Sequence, residues 1–290
     1  NIKKVKKEVD EKLKSISSNV FYSTHHESHL YYSFYTSMFH ESVCVSVDGV
    51  GELDTLSVGI GDYKGIKYTS LAQYPHSLGL FYTAMTTFLG FKPNEGEYKM
   101  MGLASYGKPN VYLNRIRELI KFKNGRLECN MDVFCWDKSN QVMFNEKLSE
   151  LLGISQRLPD EKIWDFHENL AAAVQKVYEE VLFEILKSLK MVSENTNLCL
   201  SGGCAYNGTA NGKICNETQF NKLWIPVAPS DAGSAIGAVV HYLVKEKGFD
   251  YKISRNPFLG PQYNDEEIRK VIKDYKYKTF KDIDNVIKFI

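Results

Sequence analysis

Three short stretches in the first quarter of the chain alternate between apolar and polar or small residues. They are residues 43–48, 55–61 and 66–71, and the turn Asp62-Tyr63-Lys64-Gly65 separates the last two. A period of two is typical of β-strands, and a short polar turn with glycine between two such runs is typical of a hairpin. The pattern therefore predicts an antiparallel meander of three strands, the first of them half-buried.

Most of the remaining chain up to about residue 190 favours helices, because its apolar residues recur every three or four positions. The longest predicted helix begins at Pro159-Asp160 and ends near Lys190, and its continuous apolar stripe indicates a structural role. The shorter predicted helices are residues 2–17, a helix that carries the histidines near residue 25, and residues 77–89, 110–121 and 143–152, with one short strand near Leu127.

A different pattern occupies the segment from residue 197 to residue 246. Its predicted elements are a strand at 197–200, the turn Ser201-Gly202-Gly203, a helix from about Asn207, a strand at 223–227 and a helix at 232–246. Strand, helix and strand in this order predict a right-handed parallel crossover. Together with the meander, this unit predicts an α/β fold with mixed sheets flanked by helices.

The composition changes after Gly248. Residues 256–261 form a rigid proline-containing connector, and the helical stretches 264–275 and 281–290 are expected to begin another domain. We therefore expect one domain at residues 1–250 and the start of a second at 251–290. The chain begins without methionine and stops within a predicted amphipathic helix, so we expect it to be a piece of a longer protein.

The overall composition of the 290 residues, with 43% hydrophobic and 24% charged residues, is that of an ordinary globular protein. A net charge of +1 gives no reason to expect nucleic acid or an anionic membrane as a partner. None of the six cysteines forms a CxxC pair, and no stretch has the pattern of a signal peptide or a membrane span. We expect a cytoplasmic protein with reduced cysteines.

Three histidines, His25, His26 and His29, cluster in one predicted helix. Because His25 and His29 are four positions apart, their imidazoles point to the same side of a helix. Asp48 closes the first predicted strand, and a carboxylate at a strand end facing two imidazoles can form a mixed nitrogen and oxygen metal site. The alternative is that these histidines only satisfy hydrogen bonds; the pair together with Asp48 favours metal.

Asp231 is a second carboxylate, at the junction between the last strand and helix of the crossover unit. It can serve as an N-cap, and a capping aspartate can also face a cleft at the strand ends. Gly202 and Gly203 stand at the other junction. They either permit a tight turn only, or they let backbone N–H groups approach a phosphate.

A glycine-rich segment at residues 94–107 contains an acidic residue, Glu97, and a basic one, Lys99. We expect a loop there. It is either a flexible connector or, because its side chains are richer than a connector needs, the lining of a site.

Several of these segments resemble the O-carbamoyltransferase family that includes nodulation-factor and antibiotic-tailoring carbamoyltransferases. The matching segments run in family order over most of the chain: HHESH (25–29), SVDGVGE (46–52), EGEYKMMGLASYG (95–107), LAAAVQ (170–175), LSGGCAYNGTAN (200–211), APSDAGSAIGA (228–238) and NPFLGP (256–261). The resemblance implies an actin-like, sugar-kinase-like fold of two ribonuclease-H-like halves, related to the tRNA threonylcarbamoyladenosine transferase subunit.

The resemblance also implies a reaction in two steps. Carbamoyl phosphate and ATP form carbamoyl-adenylate in a C-terminal domain, and the actin-like domain then transfers the carbamoyl group to a hydroxyl acceptor beside a metal, usually iron(II). By motif position, His25, His29, Asp48 and Asp231 would hold the metal, the first three acting in catalysis. Gly202, Gly203 and Asn207 would hold the adenylate, with Glu97 and Lys99 nearby.

Two departures from the family pattern affect these expectations. The opening strand pair of the family does not precede His25, and the arginine-rich adenylating motif does not follow within the chain. We therefore expect a carbamoyl-transfer domain without its first strands at residues 1–250, and the start of a truncated adenylating domain at 251–290. The chain alone is expected to lack the first half-reaction.

Two other functions remain as alternatives. The first is an actin-like ATPase or sugar kinase, which would use the glycine turn but not the histidine pair. The second is a nucleotide-binding module without catalytic activity. The acceptor is left open among sugars, aminoglycoside-like molecules and other hydroxyl compounds. A homodimer is left open as well.

Overall fold

The computed structural model describes residues 2–16, 20–139, 141–191, 193–250 and 252–290. The chain divides into two compact units, residues 1–255 and residues 256–290. Among the described residues, no helix is both long enough and apolar enough to cross a membrane.

Seven strands are formed within the described residues of the first unit. They are β1 (Ser42–Gly51), β2 (Asp54–Asp62), β3 (Gly65–Gln73), β4 (Ile120–Lys123), β5 (Arg126–Cys129), β6 (Asn197–Ser201) and β7 (Lys222–Trp224). Five of them form one sheet in the order β3-β2-β1-β6-β7, and β4 and β5 form a separate hairpin.

The large sheet is mixed, as predicted. β1 to β3 form the antiparallel meander, whereas β6 and β7 run parallel to β1. The register sets Val43 opposite Leu198 and Ser46 opposite Ser201, so the ends of β1 and β6 lie side by side. Asp48 and the glycine turn, although more than 150 positions apart in sequence, thus follow neighbouring strand ends.

Ten α-helices occur among the described residues of the first unit. They are α1 (Ile2–Lys14), α2 (His25–Thr36), α3 (Leu78–Phe88), α4 (Glu97–Leu103), α5 (Leu113–Arg117), α6 (Lys147–Leu152), α7 (Asp165–Ser188), α8 (Gly208–Asn211), α9 (Ile214–Glu217) and α10 (Asp231–Lys247). The predicted helix at 2–17 ends earlier, and residue 17 itself lies outside the described residues.

The helices cover both faces of the large sheet. α2 and α10 pack on one face, around buried Leu30, Phe34 and Val240, while α3 and α7 bury the other face. Val43, Val45 and Val47 of β1 all belong to the α3 and α7 side. The prediction that β1 is half-buried is therefore wrong, since helices on both sides bury both of its faces.

The helix predicted at residues 110–121 is wrong in its second half. A single 3₁₀ turn, Pro109–Val111, and the short α5 precede β4, which begins at Ile120. β4 and β5 pair through the turn Asn124-Gly125, where both residues have positive φ. Asn-Gly is the sequence that a two-residue hairpin favours, because this turn requires positive φ at both central positions.

The glycine-rich segment 94–107 is not a loop throughout. Residues Glu97–Leu103 form α4, with Gly96 at its N-terminus and Met100 completely buried. The long helix α7 begins at Asp165, later than predicted, where His167 Nδ1 accepts a hydrogen bond of 3.0 Å from the N–H of Trp164. This side-chain contact fixes the start of the helix.

The second unit, residues 256–290, contains α11 (Asp265–Ile272) and α12 (Ile283–Phe289) among its described residues. Asn264 caps α11 by accepting from Glu267 N–H, and Asp282 caps α12 by accepting from Asn285 N–H. Both helices are shorter than the stretches predicted at 264–275 and 281–290.

Candidate metal centre

Two imidazoles of α2 converge on one point. Thr24 caps this helix: its hydroxyl accepts from the N–H of Glu27, and the Glu27 carboxylate accepts from the N–H of Thr24. This capping box makes His25 the first helical residue and places His29 one turn later. Their Nε2 atoms are 3.0 Å apart.

Asp48 completes the inner part of this cluster. Its Oδ2 atom lies 3.0 Å from the Nε2 atoms of both His25 and His29. Its other oxygen, Oδ1, accepts from the N–H of Gly49 at 2.7 Å and from the N–H of Gly203 at 3.2 Å. One carboxylate oxygen is therefore directed at the imidazoles and the other holds the backbone around the strand ends.

Asp231 supplies the fourth side chain. Its Oδ1 atom lies 3.4 Å from His25 Nε2 and 3.5 Å from His29 Nε2. Ser230, not Asp231, occupies the N-cap of α10, so the expectation of an N-cap at Asp231 is wrong. Asp231 is the first residue of the helix, and its side chain is directed towards the histidines instead of capping the helix.

Two glycines of α10 allow this approach. A Cβ atom at Gly233 would overlap the ring of Tyr32, and one at Gly237 would overlap the carbonyl oxygen of Ser28. The missing side chains let α10 lie against the backbone of α2, which brings Asp231 to the histidines. Glycines at spacing four on one helix face were the sequence signal for this crossing, and the sequence analysis missed it.

The four donor atoms fit a single divalent ion. One oxygen or nitrogen from each of His25, His29, Asp48 and Asp231 lies within 4.8 Å of all the others. A metal bound at about 2.1 Å needs neighbouring donors about 3.0–3.4 Å apart, for octahedral or tetrahedral coordination. Two imidazoles with two carboxylates form a donor set that divalent iron, zinc and similar ions accept.

The electrostatics of the cluster agree with this donor set. Burial alone would raise the pKa of Asp48, but hydrogen bonds with His25 and His29 outweigh it and hold that pKa well below its usual range. The hydrogen bond with Asp48 raises the pKa of His25 despite the opposing effect of burial. Asp48 is thus ionised at neutral pH, as a ligand must be.

His26, the third histidine of α2, does not belong to the group of four donor side chains. It is 1% exposed, and neither ring nitrogen has a hydrogen-bond partner among the described residues. Burial lowers the pKa of His26 to about 4. It is therefore a neutral, buried side chain rather than a third nitrogen donor.

A cleft of about 760 Å³ opens beside these side chains. Asp48 and Asp231 line it, together with three residues that the sequence predicted for nucleotide binding: Glu97, Gly203 and Asn207. Gly202 and Lys99, predicted for the same role, are not among its lining residues. The Lys99 side chain is exposed, with its ammonium group 5.9 Å from the ring of Tyr98.

The glycine turn serves the protein's own backbone. Gly202 has a φ of +86°, and a Cβ there would overlap the carbonyl oxygen of Val47. Its N–H donates to Pro229 O at 2.8 Å, and the N–H of Gly203 donates to Asp48. Both N–H groups thus have acceptors within the protein, and the expected cradle of turn N–H groups for a phosphate stays a prediction.

Glu97 connects two walls of the cleft. Its Oε1 atom accepts from the hydroxyl of Thr83 on α3 at 2.8 Å and from the N–H of Asn94 at 2.9 Å. These contacts hold the first turn of α4 against α3. Glu97 is thus a half-buried acidic residue of the cleft wall, and its carboxylate accepts hydrogen bonds from two donors of the protein.

Buried polar side chains of the core contact residues that line the cleft, and the sequence analysis missed them. Gln175 and Glu179 of α7 lie among the apolar residues of that helix, only 5% and 3% exposed. Gln175 bonds with Asn207 and with Tyr82, which both line the cleft. Two polar residues one turn apart on the apolar stripe of a helix were the available signal.

The sequence also matches a protein-family model. The model is described as carbamoyltransferase N-terminus, and it covers residues 2–240. The matched segment contains all four donor residues and all the residues that line the cleft.

Curated relatives include proteins from bacteria and an archaeon. An uncharacterised protein of Synechocystis sp. is 36% identical over 265 residues, which is 88% of this chain and 42% of that protein. Nodulation protein NolO of Bradyrhizobium diazoefficiens is 30% identical over 247 residues, 84% of this chain and 42% of that protein. An uncharacterised protein of Methanocaldococcus jannaschii is 29% identical over 273 residues, with 88% and 42% covered. The chain thus spans less than half the length of these relatives.

Proposed function

Because the chain belongs to the carbamoyltransferase family, we propose that it forms the site where a carbamoyl group passes from carbamoyl-adenylate to a hydroxyl group of a small-molecule acceptor. Carbamoyl-adenylate would come from carbamoyl phosphate and ATP. The observation that carries this proposal is the convergence of His25, His29, Asp48 and Asp231 on one point beside a cleft. At about 760 Å³, the cleft has the size of small-molecule sites in general.

The four side chains would hold one divalent ion, for which the resemblance of the motifs suggests iron(II). When bound, such an ion polarises a carbonyl oxygen, which favours attack by a hydroxyl on the carbamoyl carbon. Asp48 holds the histidines in one orientation, and the more exposed Asp231 closes the cluster on its outer side. His29 is completely buried, so its ring is fixed by packing.

The transfer of the carbamoyl group needs no reactant besides carbamoyl-adenylate and the hydroxyl acceptor. The acceptor oxygen forms a bond with the carbamoyl carbon, the bond from that carbon to the phosphate oxygen breaks, and AMP leaves with the bonding electrons. The hydroxyl proton passes to solvent or to the leaving phosphate. The chain contributes placement of the two reactants, which can account for a large part of the rate of such a reaction.

We propose the actin-like, sugar-kinase-like fold for the same unit. The support is the order β3-β2-β1-β6-β7, in which an antiparallel meander is joined to two parallel strands through helices. That arrangement is typical of one ribonuclease-H-like half. The described residues hold one such sheet beside a two-stranded hairpin.

An ATPase or sugar kinase of the same fold is the rival function. It would need carboxylates for magnesium, but paired imidazoles are poor ligands for that ion. The pair His25 and His29, held by Asp48 at 3.0 Å, therefore favours the transferase.

The test supplies radiolabelled carbamoyl-adenylate directly to the chain loaded with iron(II) under anaerobic conditions, with a panel of sugar and amino-sugar acceptors. We expect labelled carbamate esters, and none from the His29→Ala variant. His40→Ala is the control, because His40 is exposed and lies outside the donor cluster. Label that is released only as hydrolysis products, at equal rates with all three proteins, would overturn the proposal.

A further inference from the structure

A chain of hydrogen bonds runs from the surface of the molecule to the cleft wall. It begins at Lys213, whose Nζ atom donates to both carboxylate oxygens of Glu179 at 2.7 and 2.8 Å. Glu179 is 3% exposed, and Lys213 is the cation that compensates its buried charge. An ionised carboxylate can only accept hydrogen bonds.

This fixed acceptor sets the orientation of the next side chain. Gln175 Nε2 donates to Glu179 Oε1 at 3.0 Å, so the amide nitrogen of Gln175 must face Glu179. Its Oε1 atom then faces the other way and accepts from the hydroxyl of Tyr82 at 2.8 Å. The reversed amide would place two acceptors, Gln175 Oε1 and the carboxylate of Glu179, against each other.

Gln175 in turn forms a reciprocal amide pair with Asn207. Gln175 Nε2 donates to Asn207 Oδ1 at 2.9 Å, and Asn207 Nδ2 donates to Gln175 Oε1 at 3.0 Å. Asn207 Oδ1 also accepts from the N–H of Ala210 at 3.0 Å. Both acceptor positions of Oδ1 are therefore filled, and any hydrogen bond from Asn207 to a ligand must be donated by Nδ2.

We propose that Gln175 is a positioning residue that fixes Asn207 as a hydrogen-bond donor to the bound nucleotide, with its own orientation set by Glu179 and Lys213. The proposal rests on the proposed function and on the expectation from the sequence motifs that Asn207 holds the adenylate. Asn207 and Tyr82 line the cleft, whereas Gln175, Glu179 and Lys213 do not. The nucleotide must place an acceptor atom there, such as a ring nitrogen or an oxygen.

The experiment is calorimetric titration of the metal-loaded chain with AMP. Gln175→Met keeps a similar side-chain length and removes both halves of the amide pair. We expect AMP binding to weaken at least about fivefold, while metal affinity stays within twofold of wild type. Lys176→Met is the matched control, because Lys176 is the next residue of the same helix, has a half-exposed side chain beside Glu180 and does not line the cleft.

A double variant separates positioning from packing. Asn207→Ser keeps an oxygen that can cap α8 but removes the Nδ2 donor, so it should lose as much AMP affinity as Gln175→Met or more. If Gln175 acts through Asn207, the double variant binds AMP no more weakly than Asn207→Ser alone. Losses that add, or a Gln175→Met variant that binds AMP as wild type does, would overturn the positioning role.

The outcomes also distinguish this inference from the proposed function. A folded, metal-loaded wild-type chain that does not bind AMP would overturn the adenylate site and the positioning role together. Normal AMP binding by both wild type and Gln175→Met would overturn the positioning role alone. If Gln175→Met unfolds, Glu179→Gln is the second variant, since it keeps the side-chain shape and removes only the fixed acceptor.

Discussion

Gly237 of α10 lies directly against the carbonyl group of Ser28 of α2, in the space that a side chain at position 237 would occupy. The contact is one turn from His25 on one helix and less than two turns from Asp231 on the other. The close crossing of two backbones thus sets the distance between the histidine pair and the outer carboxylate. The geometry of the four candidate metal ligands and the packing of these two helices therefore have one structural cause.

Gly237→Ala should destabilise the chain by about 1–3 kcal/mol, because an added methyl group in a packed contact with backbone forces the helices apart. The same movement draws Asp231 away from the histidines, so metal affinity should also fall. Urea unfolding and metal titration measure the two effects. Gly212→Ala is the control, since a Cβ at Gly212 would meet its nearest neighbour at an ordinary 3.6 Å. Equal stability of both variants would contradict the prediction.

His29→Ala should abolish stoichiometric binding of a divalent ion, because it removes a buried nitrogen donor from the centre of the cluster. Elemental analysis of the purified variants measures this, with His40→Ala expected to retain the wild-type content.

Metal affinity of the wild type should fall as pH is lowered through neutrality. The raised pKa of His25 means that protons compete for its nitrogen at a higher pH than for an ordinary histidine.

The part of the site that depends on local spacing was accessible from the sequence. Four-residue spacing placed His25 and His29 on one helix face, and the strand before Asp48 fixed the position of its carboxylate. Local spacing could not predict that Asp231 lies next to these histidines. That contact depends on the crossing of α2 and α10, which are far apart in sequence. The glycine spacing of α10 was a signal for a crossing but not for its partner.

The errors in the fold have similar causes. Residues 120 and 121 were assigned to the end of a helix on apolar spacing, although Asn124-Gly125, which follows them, favours a hairpin. α4 was missed because the three glycines of residues 94–107 indicated a loop. In the folded chain, burial of Met100 stabilises this helix. The relation between Gln175 and Asn207 exists only in the folded chain, since 32 positions separate the two residues.

His26→Leu should make the protein less sensitive to acid. In the folded chain burial lowers the pKa of His26 to about 4, from an ordinary histidine value of 6.5. Between these two pH values the unfolded chain binds more protons, so stability falls as pH is lowered below about 6.5. At one pKa unit per 1.36 kcal/mol, the wild type should lose about 2 kcal/mol between pH 8 and pH 5 through this residue.

The leucine variant should not show that loss of stability. It also removes two buried nitrogen atoms that have no hydrogen-bond partner in the part of the chain that the structure describes. Urea unfolding at pH 5 and pH 8 in the presence of a chelator measures it, so that metal binding does not contribute. His40→Leu is the exposed control. If the pH dependence of His26→Leu equals that of wild type, the buried histidine is not protonated on unfolding as described.

The two adjacent glycines of the turn should respond differently to substitution by alanine. At Gly202 the φ of +86° and the overlap with Val47 O both oppose a side chain, so Gly202→Ala should lose at least about 2 kcal/mol of stability. Gly203 has no positive φ, and a Cβ there would lie 3.0 Å from Asp48 Oδ1. Gly203→Ala should therefore fold normally but displace the Asp48 carboxylate by a few tenths of an ångström.

Because the other oxygen of Asp48 contacts both histidines, that displacement should weaken metal binding about tenfold, or roughly 1.4 kcal/mol. Metal titration and thermal unfolding of both variants, with Gly208→Ala as the control in open space, measure the contrast. Loss of stability in Gly203→Ala with unchanged metal affinity would show that the turn acts on the fold and not on Asp48.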